Sequence, residues 1–183
     1  MQDRLLSAIA PYRDRLDAVN RNFSLAGGVR ACHKGGWSFV TFNGLEELGD
    51  RLEEAISQAK LIGSETTQLA DIKPIQDYVA ESLLRDPRGV SLAEKRQMVE
   101  TYNQLLLDFD PRIQTTSSSY RDRFGITYFV NSTGTCIAQE RLDVSGGFGA
   151  IARGEGGLVR QGYESVHSRS DYDAFTGIEN RVR

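Results

Sequence analysis

The stretch from Arg112 to Ser165 constrains this chain more than any other. It reads RIQTTSSSYRDRFGITYFVNSTGTCIAQERLDVSGGFGAIARGEGGLVRQGYES, four alternating runs divided by turn-forming clusters. Ile126, Tyr128 and Val130 share one strand face, Thr127 and Phe129 the other, and Leu142 and Val144 alternate with Arg141 and Asp143. Period-two alternation of β-branched and aromatic residues belongs to half-buried strands. The expected breaks are Arg121–Phe124, which is short and polar, and Asn131-Ser132-Thr133-Gly134 and Gly154-Glu155-Gly156-Gly157, where Asn and Gly supply the positive φ that turns need. The stretch therefore predicts an antiparallel meander of four strands, one face of which helices must cover.

The remaining elements are expected around that meander. Asp3 to Ala10 fits a short helix with Leu5, Leu6 and Ile9 on one side, limited by Pro11. Leu16 to Leu25 fits a weak strand, and Ala26-Gly27-Gly28 a turn or bulge. Val29 to Phe42 predicts a hairpin, with Gly35-Gly36 as its two-residue turn. Its second arm carries Trp37, Phe39 and Thr41 on one face and Ser38, Val40 and Phe42 on the other, so both faces are expected to be covered. Asn43 and Glu46 have capping-box spacing ahead of Leu45, Leu48, Leu52, Ala55, Ile56 and Ala59 at helical intervals, with Gly63 as the stop. Ser64 to Gly89 contains Pro74 and Pro87 and little periodicity, which predicts an extended surface crossing. Ser91-Leu92-Ala93-Glu94 is a capping box that opens a second helix. Its expected buried stripe is Met98, Tyr102, Leu105, Leu106 and Phe109, and Asp110-Pro111 ends it. Ser168 or Ser170 is expected to cap a last helix, with Asp171 and Asp173 near its positive end. That polar run reaches Arg183 without a cap, which predicts a longer natural chain. The fold class is α+β: an N-terminal β-hairpin plus helix unit, a long linker and helix, then the four-stranded meander with a C-terminal helix.

Composition narrows the function classes. With 183 residues and 39% hydrophobic content, the chain can build one large or two small cores. A net charge of -3, without a basic stripe, argues against nucleic-acid binding by counterion release. The two cysteines, Cys32 and Cys136, read as reduced thiols of a cytoplasmic protein. No apolar run is long enough to span a bilayer, and MQDRLLSAIAPYRDR is not a signal peptide. The Asn131-Ser132-Thr133 sequon reads better as a turn than as a glycan site.

Each tempting local site has a plainer alternative. Cys32, His33, Cys136 and His167 lack the close pairing of a structural zinc set, and adjacent Cys32 and His33 point to opposite faces of a strand. Gly147-Phe148-Gly149-Ala150-Ile151-Ala152 matches a dinucleotide fingerprint only as a string. Gly154, Gly156 and Gly157 deny it the helix that must follow, and a strand with close backbone approaches is the simpler reading. Nothing in the spacing selects a nucleophile, so no catalytic residue is expected. Gln161-Gly162-Tyr163-Glu164-Ser165 is the most distinctive short string. It reads either as a strand edge near a ligand path or as a final strand with Tyr163 packed and Glu164 solvated.

GGVRACHKGGWSFVTFNGL with its following helix resembles the first domain of the TldD/PmbA metallopeptidases. So does SLAEKRQMVETYNQLLLDFDPRI, followed by SSSYRDR, VNSTG and RQGYES in that order. The resemblance runs from about Leu16 onward and is TldD-like; the family was once described as modulators of DNA gyrase. It implies a dimer of related or identical subunits that cleaves unfolded peptides at zinc in an enclosed chamber and matures peptide natural products. Two departures stand out. The family's His-Glu-x-x-x-His zinc motif is absent from these residues, so no cofactor is expected in this chain and zinc only in a C-terminal part. The stretch before Gly27 is also short for the family, which predicts a first sheet lacking a strand.

The resemblance divides the chain into a first α+β unit at 1–63, a linker at 64–90 and the start of the central domain at 91–183. The implied function is a non-catalytic N-terminal portion that walls the substrate chamber and helps form the dimer. The alternative is a stand-alone peptide-binding or structural module. The expected substrate-binding residues are Val144, Gly146, Gly147, Gly149, Tyr163 and Glu164, with Val144–Ala152 as a sheet edge that accepts an extended peptide. No nucleic-acid or membrane partner is expected.

Overall fold

The computed structural model describes the backbone at residues 2–12 and 15–182, and side chains at 19 and from 21 to 182. The chain is α+β. Its strands are β1 (Gln2–Tyr12), β2 (Arg15–His33), β3 (Gly36–Phe42), β4 (Gln76–Val79), β5 (Ile113–Val130), β6 (Cys136–Arg153) and β7 (Val159–Ser168). Its helices are α1 (Leu48–Ile62), α2 (Leu92–Leu107) and α3 (Glu179–Val182). Hydrogen-bonded neighbours follow the order β3-β2-β1-β5-β6-β4, and β7 also pairs with β6. The antiparallel strands and the C-terminal helix expected from the sequence are present, and the Arg112–Ser165 stretch supplies three of the strands, β5, β6 and β7. The chain divides into two compact units: Met1–Arg4 with Ser24–Val79 and Gly125–Glu140, and Leu5–Phe23 with Ala80–Phe124 and Arg141–Arg183.

In the first unit, the β2–β3 hairpin lies against α1 through unusually small residues. The turn is Lys34-Gly35, one residue earlier than expected, with His33 opposite Gly36. Both turn residues have positive φ, 45° and 80°, as a primed two-residue turn requires. Gly36 faces the end of α1 so closely that a Cβ would stand 2.5 Å from the Ala59 carbonyl oxygen and from the Gly63 nitrogen. Ala55 and Ala59 are fully buried, and the Ser38 hydroxyl donates 2.6 Å to the Ala55 carbonyl. Gly63 does end α1, but with φ -69°; it is small because the His33 carbonyl presses on it.

Several expectations for this unit are corrected. Only the Ser38, Val40 and Phe42 face of β3 is buried; Trp37 is 40% and Phe39 65% exposed. Ala26-Gly27-Gly28 is no turn but part of β2, where the rings of Phe42 and Phe39 lie over Gly27 and Gly28. α1 begins at Leu48 after Glu47, without a side-chain cap, so Asn43 and Glu46 do not act as a capping box. The crossing after α1 is extended and exposed, and it contains β4, parallel to Cys136–Gln139 of β6. The expected break after β5 is present: the Asn131 carboxamide oxygen accepts from the Thr133 and Thr135 backbone N–H groups at 3.1 and 3.0 Å, and Gly134 has φ 97°.

In the second unit, α2 packs on the even-numbered face of β5. Ser91 caps α2, accepting from the Glu94 N–H at 3.1 Å. The Glu94 carboxylate turns to Arg85 at 2.7 Å rather than back to the cap. The buried stripe is Lys95, Val99, Tyr102, Asn103 and Leu106, rotated from the expected one; Phe109 is mostly exposed. Thr116, Ser118, Tyr120 and Asp122 face it from β5, all buried. Lys95 Nζ meets Asp122 Oδ2 at 2.5 Å, the Tyr120 hydroxyl donates to the same oxygen at 2.8 Å, and Ser118 donates to Asn103 at 3.0 Å. Burial, then the Asp122 charge, pushes the Tyr120 phenol far above its usual range. Around this polar seam lies the apolar core, including Val99, Leu142, Val144, Phe148 and Phe175.

Three further corrections belong to the N-terminus and to this unit. Asp3 to Ala10 is strand, not helix: its residues fit either period, and pairing within a sheet decided. The Arg121–Phe124 break does not occur, because β5 runs through it and its Asp122 is needed on the buried face. The last helix is a 3₁₀ turn, Tyr172–Phe175, capped by Asp171, followed by the short α3.

Removing one partner of the buried pair, by Lys95→Met or Asp122→Leu, is expected to cost about 3–5 kcal/mol in urea unfolding. The triple change K95M/D122L/Y120F is expected to recover most of that loss, and more than K95M/D122L, which strands the Tyr120 hydroxyl. Gly36→Ala is expected to destabilise by roughly 2 kcal/mol, against the usual small gain of Gly→Ala, because its Cβ has no room.

Candidate functional site

The glycines of β6 explain why the expected edge is not one. Val144–Arg153 pairs antiparallel with Val159–Ser168 along one side, and β5 flanks the other. Val144–Ala152 is therefore interior, and strand addition there is excluded by pairing. Its glycines make room for rings of this same chain. A Cβ at Gly146 would run into Phe175 and stand 3.0 Å from the Ser119 carbonyl oxygen. One at Gly147 would stand 2.9 Å from Cζ of Tyr163, and one at Gly149 3.3 Å from its Cδ2. Val144 is buried in the core. Tyr163 lies across Gly147 and Gly149 and is still 73% exposed.

Tyr163 and Glu164 line a cleft of about 490 Å³ that Val144, Gly146, Gly147 and Gly149 do not reach. Its apolar part comes from the end of α2 and from alternate β6 residues: Leu106, Phe109, Phe148, Ala150 and Ala152. Five consecutive β7 residues, Arg160 to Glu164, form another side, and Gly154 and Leu158 come from the glycine-rich turn. That turn is a loop as expected, with Gly156 at φ 69° and Gly157 at φ 80°.

The charges around the cleft are unevenly matched. Arg112 grips Asp110 through two hydrogen bonds of 2.9 and 2.7 Å, which hold the Asp110 carboxyl down at about 2. Arg181 pairs with Glu164 and donates to the Ser165 carbonyl at 3.3 Å. Arg160 has no carboxylate partner among the described residues. Arg160 and the apolar wall escaped the sequence reading. The available signal was the alternation of Phe148 and Ala150 with Gly147 and Gly149, which puts the side chains of that stretch on one face.

No three His, Cys, Asp or Glu side chains converge as a metal set among the described residues. Cys32 is half-buried in β2 and Cys136 is exposed at the start of β6. These residues do not fit a zinc site. No described helix is long and apolar enough to cross a membrane.

Comparison with known proteins gives the relationship. Residues 13–62 match the family model described as PmbA/TldA metallopeptidase domain 1, and residues 85–182 match the PmbA/TldA metallopeptidase central domain. A metalloprotease of Synechocystis sp. is 37% identical over 93% of this chain, and one of Methanocaldococcus jannaschii is 30% identical over 69%. The chain spans 37% of the first relative's length and 29% of the second's. Among solved structures, a Bacteroides thetaiotaomicron protein described as a candidate modulator of DNA gyrase has a TM-score of 0.77 at 19% identity, covering 99% of this chain and 43% of its own. TldE from Thermococcus kodakarensis has a TM-score of 0.68 at 14% identity, covering 99% and 41%. These structures share the fold, and the match to the central-domain model over residues 85–182, after domain 1, shows that the chain belongs to the PmbA/TldD metallopeptidase family.

Proposed function

We propose that this chain is the N-terminal, non-catalytic portion of a zinc metallopeptidase, and that it walls the chamber in which unfolded peptides are cleaved. One observation carries this reading. Two family domains follow each other in order, and 93% of the chain aligns with a metalloprotease while spanning only 37% of that protein. The residues at 1–63 and 91–183 then act as chamber-building domains joined by the linker at 64–90. Zinc belongs to the remainder of the whole protein, since the described residues do not fit it. The partner is a related subunit or a second copy, the compartment is the cytoplasm, and peptide natural products are among the substrates. Tyr163 and Glu164 are the residues of this chain proposed to meet the peptide.

The test compares the 183-residue chain with a polypeptide extended by the rest of its gene. The longer protein is expected to bind one zinc per chain and to hydrolyse unfolded peptides, while the shorter one does neither. Peptide hydrolysis by the shorter chain alone would overturn the non-catalytic assignment.

A structural or dimerisation module is the second reading, and the outer face of α1 favours it. Leu48, Leu52 and Ile56 follow at helical spacing and remain exposed, Leu52 at 47%. Such a stripe marks an interaction surface. If it joins subunits, L52E/I56E is expected to turn a dimer into a monomer in sedimentation velocity, with the far-ultraviolet spectrum unchanged.

A further inference from the structure

We propose that the cleft beside β7 takes one apolar side chain of an extended peptide whose carboxylate, on the same face of the peptide strand, pairs with Arg160, the peptide backbone lying along the outer edge of β7. This rests on the reading of the chain as a peptide-handling part of a peptidase, and it names what that part selects.

Three independent features converge on this occupant. The first is a free strand edge. Val159–Ser168 pairs with β6 through ten register positions, and no second strand pairs with β7 among the described residues. An unpaired edge presents a row of N–H and C=O groups that an extended peptide can satisfy with little regard to its side chains. Gly162, in the middle of that edge, has nothing within 4 Å of where a Cβ would stand, so no group of this chain crowds the sheet face there. The edge is thus β7, whose residues line the cleft, and not the interior segment Val144–Ala152.

The second feature is the apolar cavity at that edge. Leu106, Phe109, Phe148 and Ala150 wall a space of about 490 Å³, room for a large apolar side chain and its flanking backbone. Alternate residues of an added strand point to the same side, so one side chain enters while its neighbours stay out.

The third feature is charge. The other two arginines of the cleft already hold carboxylates: Arg112 holds Asp110 and Arg181 holds Glu164. Arg160 alone is left unmatched among the described residues, so the cleft as a whole favours an anion. A guanidinium recognises a carboxylate through a planar pair of hydrogen bonds. That carboxylate is either an acidic side chain or the free C-terminus of the peptide, and the probes below separate the two.

The test is fluorescence anisotropy of the 183-residue chain with four dansylated probes. They are Gly-Phe-Thr-Glu-Thr-amide, its Gln counterpart, Gly-Phe-Thr with a free C-terminus, and the Glu peptide with alternate amides N-methylated. The Glu peptide is expected to bind at least about fivefold more tightly than the Gln peptide, a ratio that falls to about one in Arg160→Gln and inverts in Arg160→Glu. Tight binding of the free-acid probe assigns the anion to a C-terminus; binding of the Glu amide alone assigns it to a side chain. Ala152→Trp, which fills the cleft, is expected to weaken every probe about tenfold. The exposed Arg160 variants carry the test even if A152W misfolds. Binding that is indifferent to both the carboxylate and Arg160 would overturn this assignment and leave the peptide-handling reading standing. Undiminished binding of the N-methylated peptide would overturn the strand-edge part. Failure of all four probes to bind would overturn both.

Discussion

The second unit depends on one buried ion pair. Lys95 and Asp122 lie 2.5 Å apart, and both side chains are 95% or more withdrawn from solvent. Two desolvated charges are tolerable only when each is fully engaged, so the pair permits one placement of α2 on β5. The Asn103–Ser118 hydrogen bond fixes the same placement a second time. Between the two links lie eight residues of helix and four of strand. At about 1.5 Å of rise per helical residue that is about 12 Å, and at about 3.3 Å per strand residue about 13 Å. The spans match, so a helix and a strand running in opposite directions are pinned at two points without strain. Carrying that register one turn further sets Leu106 and Phe109 over the end of the sheet, where the cleft opens. The site is in this sense a consequence of the polar seam.

How much of this was legible in the sequence depended on range. Several signals whose partners are neighbours in the chain read correctly, among them the Ser91 cap, the Asn131–Gly134 turn and the glycine-rich turn after β6, while the Asn43–Glu46 capping box did not. Signals with distant partners did not. Lys95 is not in the expected buried stripe; lysines are rarely buried, and only Asp122, 27 residues away, reverses that preference. Asp122 in turn fell in a run of alternating charges that resembled a turn. The residues from Asp3 to Ala10 fit a helical and a strand period equally well, and pairing within a sheet chose between them.

Glycine was the residue type most easily misread. Gly27-Gly28 suggested a turn and the β6 glycines suggested an open edge, yet each marks a place where an aromatic ring lies on backbone. Phe42 covers Gly27, Phe39 covers Gly28 and Tyr163 covers Gly147. The same sequence signal serves bend, bulge and seat, and the ring that distinguishes them lies on another strand. Of the residues expected to meet substrate, Tyr163 and Glu164 line the cleft because β7 happens to border it. Gly147 and Gly149 lie beneath the Tyr163 ring, while Val144 and Gly146 serve the core.

The two units reach order by different means, and this bears on where further contacts belong. The second has thirteen core residues among those described, including Tyr102 edge-on to Phe148 with centroids 5.3 Å apart. The first replaces side-chain bulk with closeness. Gly36, Ser38, Ala55, Ala59 and Gly63 bring β3 and α1 almost backbone to backbone, which buries little apolar area for each residue ordered. Burial is what offsets conformational entropy, so such a unit gains more than most from covering what it still exposes. Its uncovered apolar groups include the outer stripe of α1 and the Trp37 and Phe39 face of β3. Arg30 lies 4.1 Å over the Trp37 ring, which partly shields that second face and keeps it compatible with water. The α1 stripe is therefore among the apolar surfaces of this unit that gain from being covered.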